Sequence, residues 1–173
     1  MNAVKMGIPV ERMYYHTPLG KLKITATEQG ISAVQFTDEF ESPALRGVTV
    51  ENCIHELGEY FAGKRTTFSL KFDLQGTDFQ KRVWTELLNI PFGKTISYLE
   101  LARRLGDEKV IRAAGSANGK NPIAIILPCH RVIGSTGKLT GFAAGLDVKA
   151  QLLEMEGATE PELKLGPTYG EIA

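Results

Sequence analysis

Residues 97–118 read SYLELARRLGDEKVIRAAGSAN. Ser97 and Glu100 have the spacing of a capping box, which predicts that a helix begins there. Gly106 is a typical helix stop, and a second helix is predicted from about residue 108 to 118. Two helices joined by a short, glycine-containing turn are typical of a helix-turn-helix, although an ordinary helical hairpin has the same pattern.

The second of these helices carries one long side chain, Arg112, followed by the small residues 113–117. Small side chains allow a helix to approach another surface closely. That surface is either a neighbouring helix in tight packing or a narrow groove of DNA, into which Arg112 would project. The pattern alone leaves both interpretations open.

The segment before this stretch predicts another helix, which Thr77 or Asp78 can cap. Its apolar stripe consists of Phe79, Val83, Trp84, Leu87 and Leu88. The composition changes near residues 75–77, which predicts a boundary between a domain of residues 1–75 and a domain of residues 76–173. The second domain is expected to end in a loosely held tail from about residue 158.

The first domain has the pattern of a small α+β unit. Residues 14–16, which lead into a turn, the alternating residues 21–27 and the third candidate strand at residues 31–36 predict an antiparallel meander. Residues 67–74 alternate and predict a further strand, and an amphipathic helix that ends at Gly63 is predicted between residues 31–36 and 67–74. We therefore expect an α+β fold, with a small antiparallel-sheet domain followed by a mostly helical domain of the winged-helix or helix-turn-helix type.

Charge is unevenly distributed, although the formal net charge is zero. Residues 76–150 contain eleven lysines and arginines against six acidic residues, whereas residues 151–173 contain one against five. A basic middle segment is where contacts to DNA phosphates are expected, although random scatter explains the same numbers. No stretch has the length of a signal peptide or a membrane span. A soluble protein is expected, cytoplasmic and nucleoid-associated in a prokaryote, or nuclear in a eukaryote.

Cys129, one of two cysteines, lies between a predicted buried strand at residues 123–127 and a glycine-rich loop. His130 and Arg131 follow it, and an electropositive setting lowers the pKa of a thiol, so Cys129 is predicted to be a reactive nucleophile. A buried structural thiol is the alternative interpretation. Because Cys129 and His130 are adjacent, a proton can pass between them only through a water relay or in a tight turn.

Several blocks resemble the O6-alkylguanine-DNA alkyltransferases, also called methylated-DNA–protein-cysteine methyltransferases. These blocks are GTDFQKRVW, IPFGKTISYLELA, IRAAGSANGKNPIAIILPCHRVIG and LTGFAAGLDVKAQLLEMEG, which cover residues 76–157 nearly continuously and in the family's order. The first domain is similar in length and pattern to the family's N-terminal domain, with YFAG at residues 60–63 as the best local match. The resemblance implies that this domain is ribonuclease H-like.

The resemblance implies catalytic roles for five residues. Cys129 would accept the alkyl group, and His130 would take the thiol proton through a water molecule. Glu156 would orient and polarise His130. Asn121 would tie the active-site turn to the helix-turn-helix, and Tyr98 would pass a proton toward guanine N3.

The resemblance also implies contacts to DNA and to the flipped base. Arg112 would fill the space left by the alkylated nucleotide when it rotates out of the duplex. The other residues implied to contact DNA are Ser97, Tyr98, Ala113 and Gly115. The residues implied to line the guanine pocket are Val132, Phe142, Ala143 and Ala144.

The implied activity is a single irreversible transfer of an alkyl group from O6-alkylguanine, and from O4-alkylthymine, to Cys129. The implied partner is the minor groove of double-stranded DNA, bound by a monomer without cofactor or metal. Phe142 lacks a hydroxyl that many relatives carry, and Ala144 replaces a glycine, so a narrower pocket is expected.

Three other classes of protein are alternatives to a transferase. A damage sensor that only binds alkylated guanine has a tryptophan in place of Cys129. A plain helix-turn-helix regulator needs no PCHRV segment. A Cys–His hydrolase needs an oxyanion hole and a direct Cys–His pair, and the sequence predicts neither.

Overall fold

A computed structural model of the chain describes residues 7–158 and 164–165. The chain forms two compact units. The first comprises residues 1–76 together with residues 122–124, and the second comprises residues 77–121 and 125–173. The chain therefore returns briefly to its first unit after the helix-turn-helix segment.

The first unit is built on an antiparallel sheet of three strands in the order β1 (Glu11–Thr17), β2 (Gly20–Thr27) and β3 (Gly30–Phe36). The central strand alternates between buried and partly exposed side chains, as a strand with one face on a core requires. The fully buried residues of the sheet are Leu22, Ile24, Ala26, Ile31 and Val34. The predicted meander is present.

Helix α1 (Val48–Phe61) packs on this sheet through one face. The buried residues of that face are Val50, Cys53, Glu56, Leu57 and Tyr60. Gly47, at the N-cap, has no side chain to cap the helix, and the Glu11 carboxylate of β1 accepts a hydrogen bond from the Val50 amide instead, at 2.8 Å. The first strand therefore supplies the cap that the local sequence lacks.

The strand predicted at residues 67–74 is wrong. Only Phe72 forms a β-bridge, to Ile31 of β3, and the two hydrogen bonds there join Ile31 to Lys71 and Asp73. The apolar alternation is real, but a strand also needs a continuous run of backbone partners, and the described residues offer them at one point only.

Gly30 is required where this segment crosses the start of β3. Its φ is +147°, and a Cβ there would lie 2.5 Å from the Lys71 carbonyl oxygen. Gly63 also has a positive φ, +72°, but a Cβ there would meet nothing within 4 Å. We expect Gly30→Ala to lower the free energy of unfolding by about 3 kcal/mol and Gly63→Ala by about 1 kcal/mol, because only the first adds a collision to the backbone strain.

Urea denaturation of both variants, followed by circular dichroism, tests this difference. If both alanine variants lose the same free energy of unfolding, the Lys71 carbonyl must move aside without cost, and the explanation by collision would fail.

The second unit contains three packed helices, α2 (Asp78–Leu87), α3 (Tyr98–Arg104) and α4 (Ile111–Gly119). Thr77 caps α2 in a complete capping box with Gln80. The indole nitrogen of Trp84 donates to the Ala117 carbonyl at 2.8 Å, which fixes α2 against α4. The remaining elements are β4 (Ile96–Ser97), β5 (Val132–Ile133), β6 (Lys138–Leu139), α5 (Leu146–Met155) and β7 (Lys164–Leu165).

Helices α3 and α4 form the predicted helix-turn-helix, with two local differences. Ser97 caps α3 by accepting from the Glu100 amide, but the Glu100 carboxylate accepts from Arg104 rather than from the Ser97 backbone. The second helix begins at Ile111, three residues later than predicted, because a 3-10 turn occupies Glu108–Val110. The fold is therefore α+β, with an antiparallel sheet before a mostly helical unit.

The buried strand predicted at residues 123–127 is also wrong. Ile123 forms one parallel bridge with Val34 in the first unit, and the chain then turns tightly. Ile125 has a φ of +72° and is the one non-glycine residue with a positive φ in the part of the chain that the structure describes. The run is buried as predicted, but a buried turn and a buried strand share the same apolar composition.

Within the described residues, no helix is both long and apolar enough to cross a membrane.

Candidate active site

Cys129, His130 and Arg131 form a single 3-10 turn that leads directly into β5. All three side chains are buried, and His130 is fully so. The sequence predicted either a tight turn or a water relay at this point, and the backbone adopts a tight turn. Within this turn His130 and Arg131 reach the same partner, the carboxylate of Glu156.

The carboxylate of Glu156, which follows α5, accepts hydrogen bonds from both His130 and Arg131. His130 Nε2 lies 2.7 Å from Glu156 Oε1, and Arg131 donates to both carboxylate oxygens at 2.8 and 3.0 Å. Arg131 also donates to the Ile90 carbonyl at 2.7 Å. Burial alone would raise the pKa of Glu156, but the bonds from His130 and Arg131 lower it to about 2.

His130 is held as a neutral base. Burial lowers its pKa below the ordinary value, because the charged imidazolium is poorly solvated there. A neutral ring that donates from Nε2 to Glu156 has no proton on Nδ1. Among the described residues, His130 Nδ1 is buried and has no hydrogen-bond partner, so this nitrogen is available to accept a proton.

The pKa of Cys129 is raised, which corrects the prediction that its basic neighbours lower it. Burial is the largest cause, since it disfavours the thiolate. A hydrogen bond from Asn121, the charge of Lys149 and backbone amides oppose that effect without overcoming it. The prediction relied on two neighbours, but His130 is neutral and Arg131 is bound to Glu156.

Two asparagines connect the helix-turn-helix to the cysteine turn. Asn121, just after α4, donates to the Leu127 carbonyl at 2.7 Å. Asn118, within α4, donates a longer bond of 3.4 Å to the Cys129 carbonyl. The first of these residues was predicted to make such a link, and the second was missed.

The ring of Tyr98, at the start of α3, is buried, and its hydroxyl donates to the Thr140 carbonyl at 3.2 Å. Burial raises its pKa, and the hydrogen bonding with Thr140 acts in the opposite direction. The hydroxyl therefore keeps its proton at neutral pH and can donate it.

Lys149 of α5 is the functional candidate that sequence analysis missed. It is fully buried, and its ammonium donates to the carbonyls of Val132 and Thr140 at 2.7 and 2.8 Å. A signal was present, because Lys149 stands three residues after Leu146 and four before Leu153, on the apolar stripe of its helix. A lysine at such a position is buried with partners or disrupts the packing.

Helix α4 exposes Arg112 and Ala113 on one side and buries Ala114, Gly115, Ala117 and Asn118 on the other. The packing interpretation therefore holds for the buried small residues, and the groove interpretation stays a prediction for the exposed side. The structure corrects the prediction for Gly115, which lies on the packing face rather than on the exposed one. Ser97 is partly buried, and its hydroxyl is engaged as the cap of α3.

The predicted pocket residues lie on both sides of β6. Val132 is buried, Phe142 and Ala144 are partly buried, and Ala143 is exposed. A turn closes this loop through a bond from the Gly145 amide to the Phe142 carbonyl at 2.9 Å. No group of three or more histidine, cysteine, aspartate or glutamate side chains is placed to hold a metal ion in residues 7–158 and 164–165.

The fold and the site define a class: a helix-turn-helix protein with a buried cysteine in one turn with a neutral, carboxylate-bound histidine. Profiles of two domains match the chain. Residues 10–74 match the ribonuclease-like domain of 6-O-methylguanine DNA methyltransferase, and residues 78–158 match the DNA-binding domain of the same family. The chain belongs to the 6-O-methylguanine DNA methyltransferase family.

Curated relatives agree with this assignment. A methylated-DNA–protein-cysteine methyltransferase of Methanosarcina acetivorans is 44% identical over 155 residues, covering 84% of this chain and 99% of the relative. A protein of the same name from Mycobacterium tuberculosis is 42% identical over 157 residues, covering 86% and 95%.

Solved structures give the same result. The crystal structure of the Mycobacterium tuberculosis O6-methylguanine methyltransferase superposes with a TM-score of 0.77 at 41% identity, covering 87% of this chain and 94% of that one. The Mycobacterium tuberculosis OGT in complex with DNA superposes with a TM-score of 0.75 at 41% identity, covering 84% and 91%.

Proposed function

We propose that this protein repairs DNA by transferring the alkyl group of O6-alkylguanine, and of O4-alkylthymine, irreversibly to the sulfur of Cys129. The observation that carries the proposal is the turn that holds Cys129 beside a neutral histidine whose Nδ1 is unpaired among the described residues. The protein acts once per molecule, as a monomer, in the cellular compartment that holds the DNA.

The proposed reaction begins with proton removal from Cys129. The thiol proton passes through a water molecule to His130 Nδ1, and the imidazolium that forms is stabilised by Glu156, bound at Nε2. The burial that raises the thiol pKa also leaves the thiolate poorly solvated, which makes it a stronger nucleophile once formed. The histidine is therefore needed to generate a thiolate that the surroundings disfavour.

The sulfur then attacks the alkyl carbon. A carbon–sulfur bond forms, the bond from carbon to guanine O6 breaks, and its electron pair moves into the purine. Tyr98, whose hydroxyl is protonated, supplies a proton toward N3 of the departing base. The products are unmodified guanine in DNA and a stable thioether on Cys129.

The base must leave the duplex before a buried thiol can reach its O6 substituent. The exposed side of α4 supplies the means, because Ala113 allows close approach to the minor groove and Arg112 enters the space the base vacates. Val132, Phe142, Ala143 and Ala144 surround the flipped guanine, whose edge bonds to backbone groups. Tyr98 and Ser97, at the start of α3, contact the adjacent DNA.

Arg112→Ala is expected to slow transfer from duplex DNA by at least about tenfold, because nothing replaces the flipped base in the stack. Transfer from a single-stranded oligonucleotide with the same lesion should change much less, since no stack is opened. Single-turnover kinetics on the two substrates give the comparison. An equal slowing on both substrates would exclude a role in flipping and indicate a contact to the backbone.

Intact-protein mass spectrometry tests the function as a whole. The protein is incubated with a duplex that bears one O6-methylguanine, alongside a Cys129→Ser variant and an undamaged duplex. The expected result is a stoichiometric gain of one methyl group in the unmutated protein only, mapped to the peptide that contains Cys129. Tight lesion-specific binding without any gain would indicate a damage sensor instead, and neither gain nor binding would reject both functions.

A further inference from the structure

Lys149 is a fully buried cation whose partners are carbonyl oxygens. Its ammonium donates to the Val132 and Thr140 carbonyls and lies 6.0 Å from the centre of the Tyr98 ring. Among the described residues it has no carboxylate partner within ion-pair distance. Buried lysines are rare unless paired, and burial lowers the pKa of Lys149 to about 8, so the ammonium persists at neutral pH at a cost.

Lys149 carries the unbalanced positive charge near Cys129, because the other ionisable groups around this cysteine are neutral or paired. His130 is neutral, and the charge of Arg131 is matched by the carboxylate of Glu156, which it binds through two bonds. Tyr98 is also neutral, since burial raises its pKa. The charge of Lys149 acts to lower the pKa of the Cys129 thiol, and Cys129 in turn acts to raise the pKa of Lys149.

We propose that Lys149 is a positioning residue for the transfer, whose ammonium charge stabilises the Cys129 thiolate while its bonds fix the two ends of the loop between β5 and β6. This proposal rests on the function proposed above. Lys149 keeps its protons throughout, because the thiol proton goes to His130 and the proton for the base comes from Tyr98. Its contribution is an electrostatic field at the sulfur and a fixed carbonyl framework at the pocket.

The carbonyls at the pocket are held in place because Lys149 and Tyr98 share one acceptor, the Thr140 carbonyl. The Thr140 carbonyl accepts from both Lys149 and the Tyr98 hydroxyl, and the Thr140 hydroxyl lies 3.4 Å from that same tyrosine oxygen. The Val132 carbonyl, at the other end of the loop, accepts from the same ammonium at 2.7 Å. The single ammonium therefore joins the cysteine-bearing turn, through β5, to the tyrosine.

The experiment measures the rate at which iodoacetamide labels Cys129 as a function of pH, without DNA, in the unmutated protein and in Lys149→Met and Lys149→Arg. Methionine keeps the length of the side chain and removes the charge, whereas arginine keeps the charge. Peptide mass spectrometry reports Cys129 and Cys53 separately. Cys53 is buried in the first unit with a pKa of about 12, so its labelling reveals any unfolded protein.

The expected result for Lys149→Met is an inflection of Cys129 labelling about one pH unit higher than in the unmutated protein. Methyl transfer from the lesion duplex should slow by about tenfold near neutral pH, with a deficit that shrinks as the pH is raised. Lys149→Arg should keep the inflection close to that of the unmutated protein. Lys64→Met, an exposed lysine of the first unit, is the control and should change neither quantity.

If the inflection of Cys129 labelling is unchanged in Lys149→Met and transfer is slowed equally at every pH, the proposal is overturned. Lys149 would then have a purely structural role through its two hydrogen bonds. If Cys53 labelling shows that this variant does not fold, Lys149→Gln, which retains two hydrogen-bond donors without charge, replaces it and is judged by the same inflection. Because the labelling needs no DNA, failure of the unmutated protein to accept a methyl group would reject the proposed function without deciding the role of Lys149.

Discussion

Glu156→Gln is expected to destabilise the protein by about 3 kcal/mol or more and to slow methyl transfer by at least about 100-fold. The buried Arg131 would lose the negative charge that balances its own positive charge, and one of the two oxygens to which it donates. An amide also stabilises the imidazolium of His130 far less than a carboxylate does. Thermal unfolding gives the first quantity, where roughly 10 °C is expected, and single-turnover kinetics give the second.

The pH dependence of stability identifies the carboxylate as the cause. The pKa of Glu156 is lowered from 4.5 to about 2 in the folded protein, so the folded state binds its proton less readily than the unfolded chain does. The stabilisation is therefore complete above pH 4.5 and is lost as the pH falls toward 2. The stability difference between the unmutated protein and Glu156→Gln should shrink over the same interval.

Glu59→Gln is the matched control. Glu59 also binds an arginine, Arg65, at 2.6 Å, but the pair is partly exposed in the first unit and is screened by solvent. This variant should leave the melting temperature nearly unchanged and the transfer rate intact. A Glu156→Gln protein that melts like Glu59→Gln would show that Arg131 finds another partner, and the proposed importance of the buried carboxylate would be rejected.

Tyr98→Phe is expected to lower the rate of methyl transfer by about 100-fold, the usual contribution of a positioned general acid. The ring stays buried, but the hydroxyl that now donates to the Thr140 carbonyl is lost, and with it the proton for the departing base. Because the hydroxyl acts on the leaving group, lesion binding should change little. Single-turnover rates and equilibrium binding to the lesion duplex, with Cys129→Ser to prevent reaction, separate the two effects.

Tyr15→Phe removes a hydroxyl from the sheet of the first unit and serves as the control for this variant. A Tyr98→Phe protein that binds the lesion weakly but transfers at the normal rate when saturated would contradict the role of general acid. It would assign the hydroxyl to holding the loop at Thr140.

Features with local signals could be predicted from the sequence. Thr77 and Ser97 cap their helices as expected, because a cap depends on residues within one turn of the chain. The alternation of β2 also predicted its strand. The site residues Cys129, His130 and Glu156, and the contact of Glu156 with His130, came from the resemblance to a family, and the structure has this contact at 2.7 Å.

Features that depend on distant partners could not be predicted. Residues 67–74 alternate like a strand but find a backbone partner at one point only. The pKa of Cys129 follows its burial more than the charges of its sequence neighbours, and the sequence gives no measure of that burial. Gly115 and Ala113 look alike in the sequence, and packing against the other helices decides which one is exposed.

Ile125 has a consequence for any attempt to engineer this protein. A β-branched residue in the left-handed conformation costs about 1–2 kcal/mol relative to glycine. The Ile125 side chain is also fully buried, and deleting a buried isoleucine costs about 2–5 kcal/mol, so Ile125→Gly should lower heat resistance although it relieves the strained backbone. The same substitution would loosen the turn whose Leu127 carbonyl accepts a hydrogen bond from Asn121, directly before the reactive cysteine. A screen for heat resistance and a screen for survival under alkylating agents should therefore both reject this substitution, and the strained residue is retained.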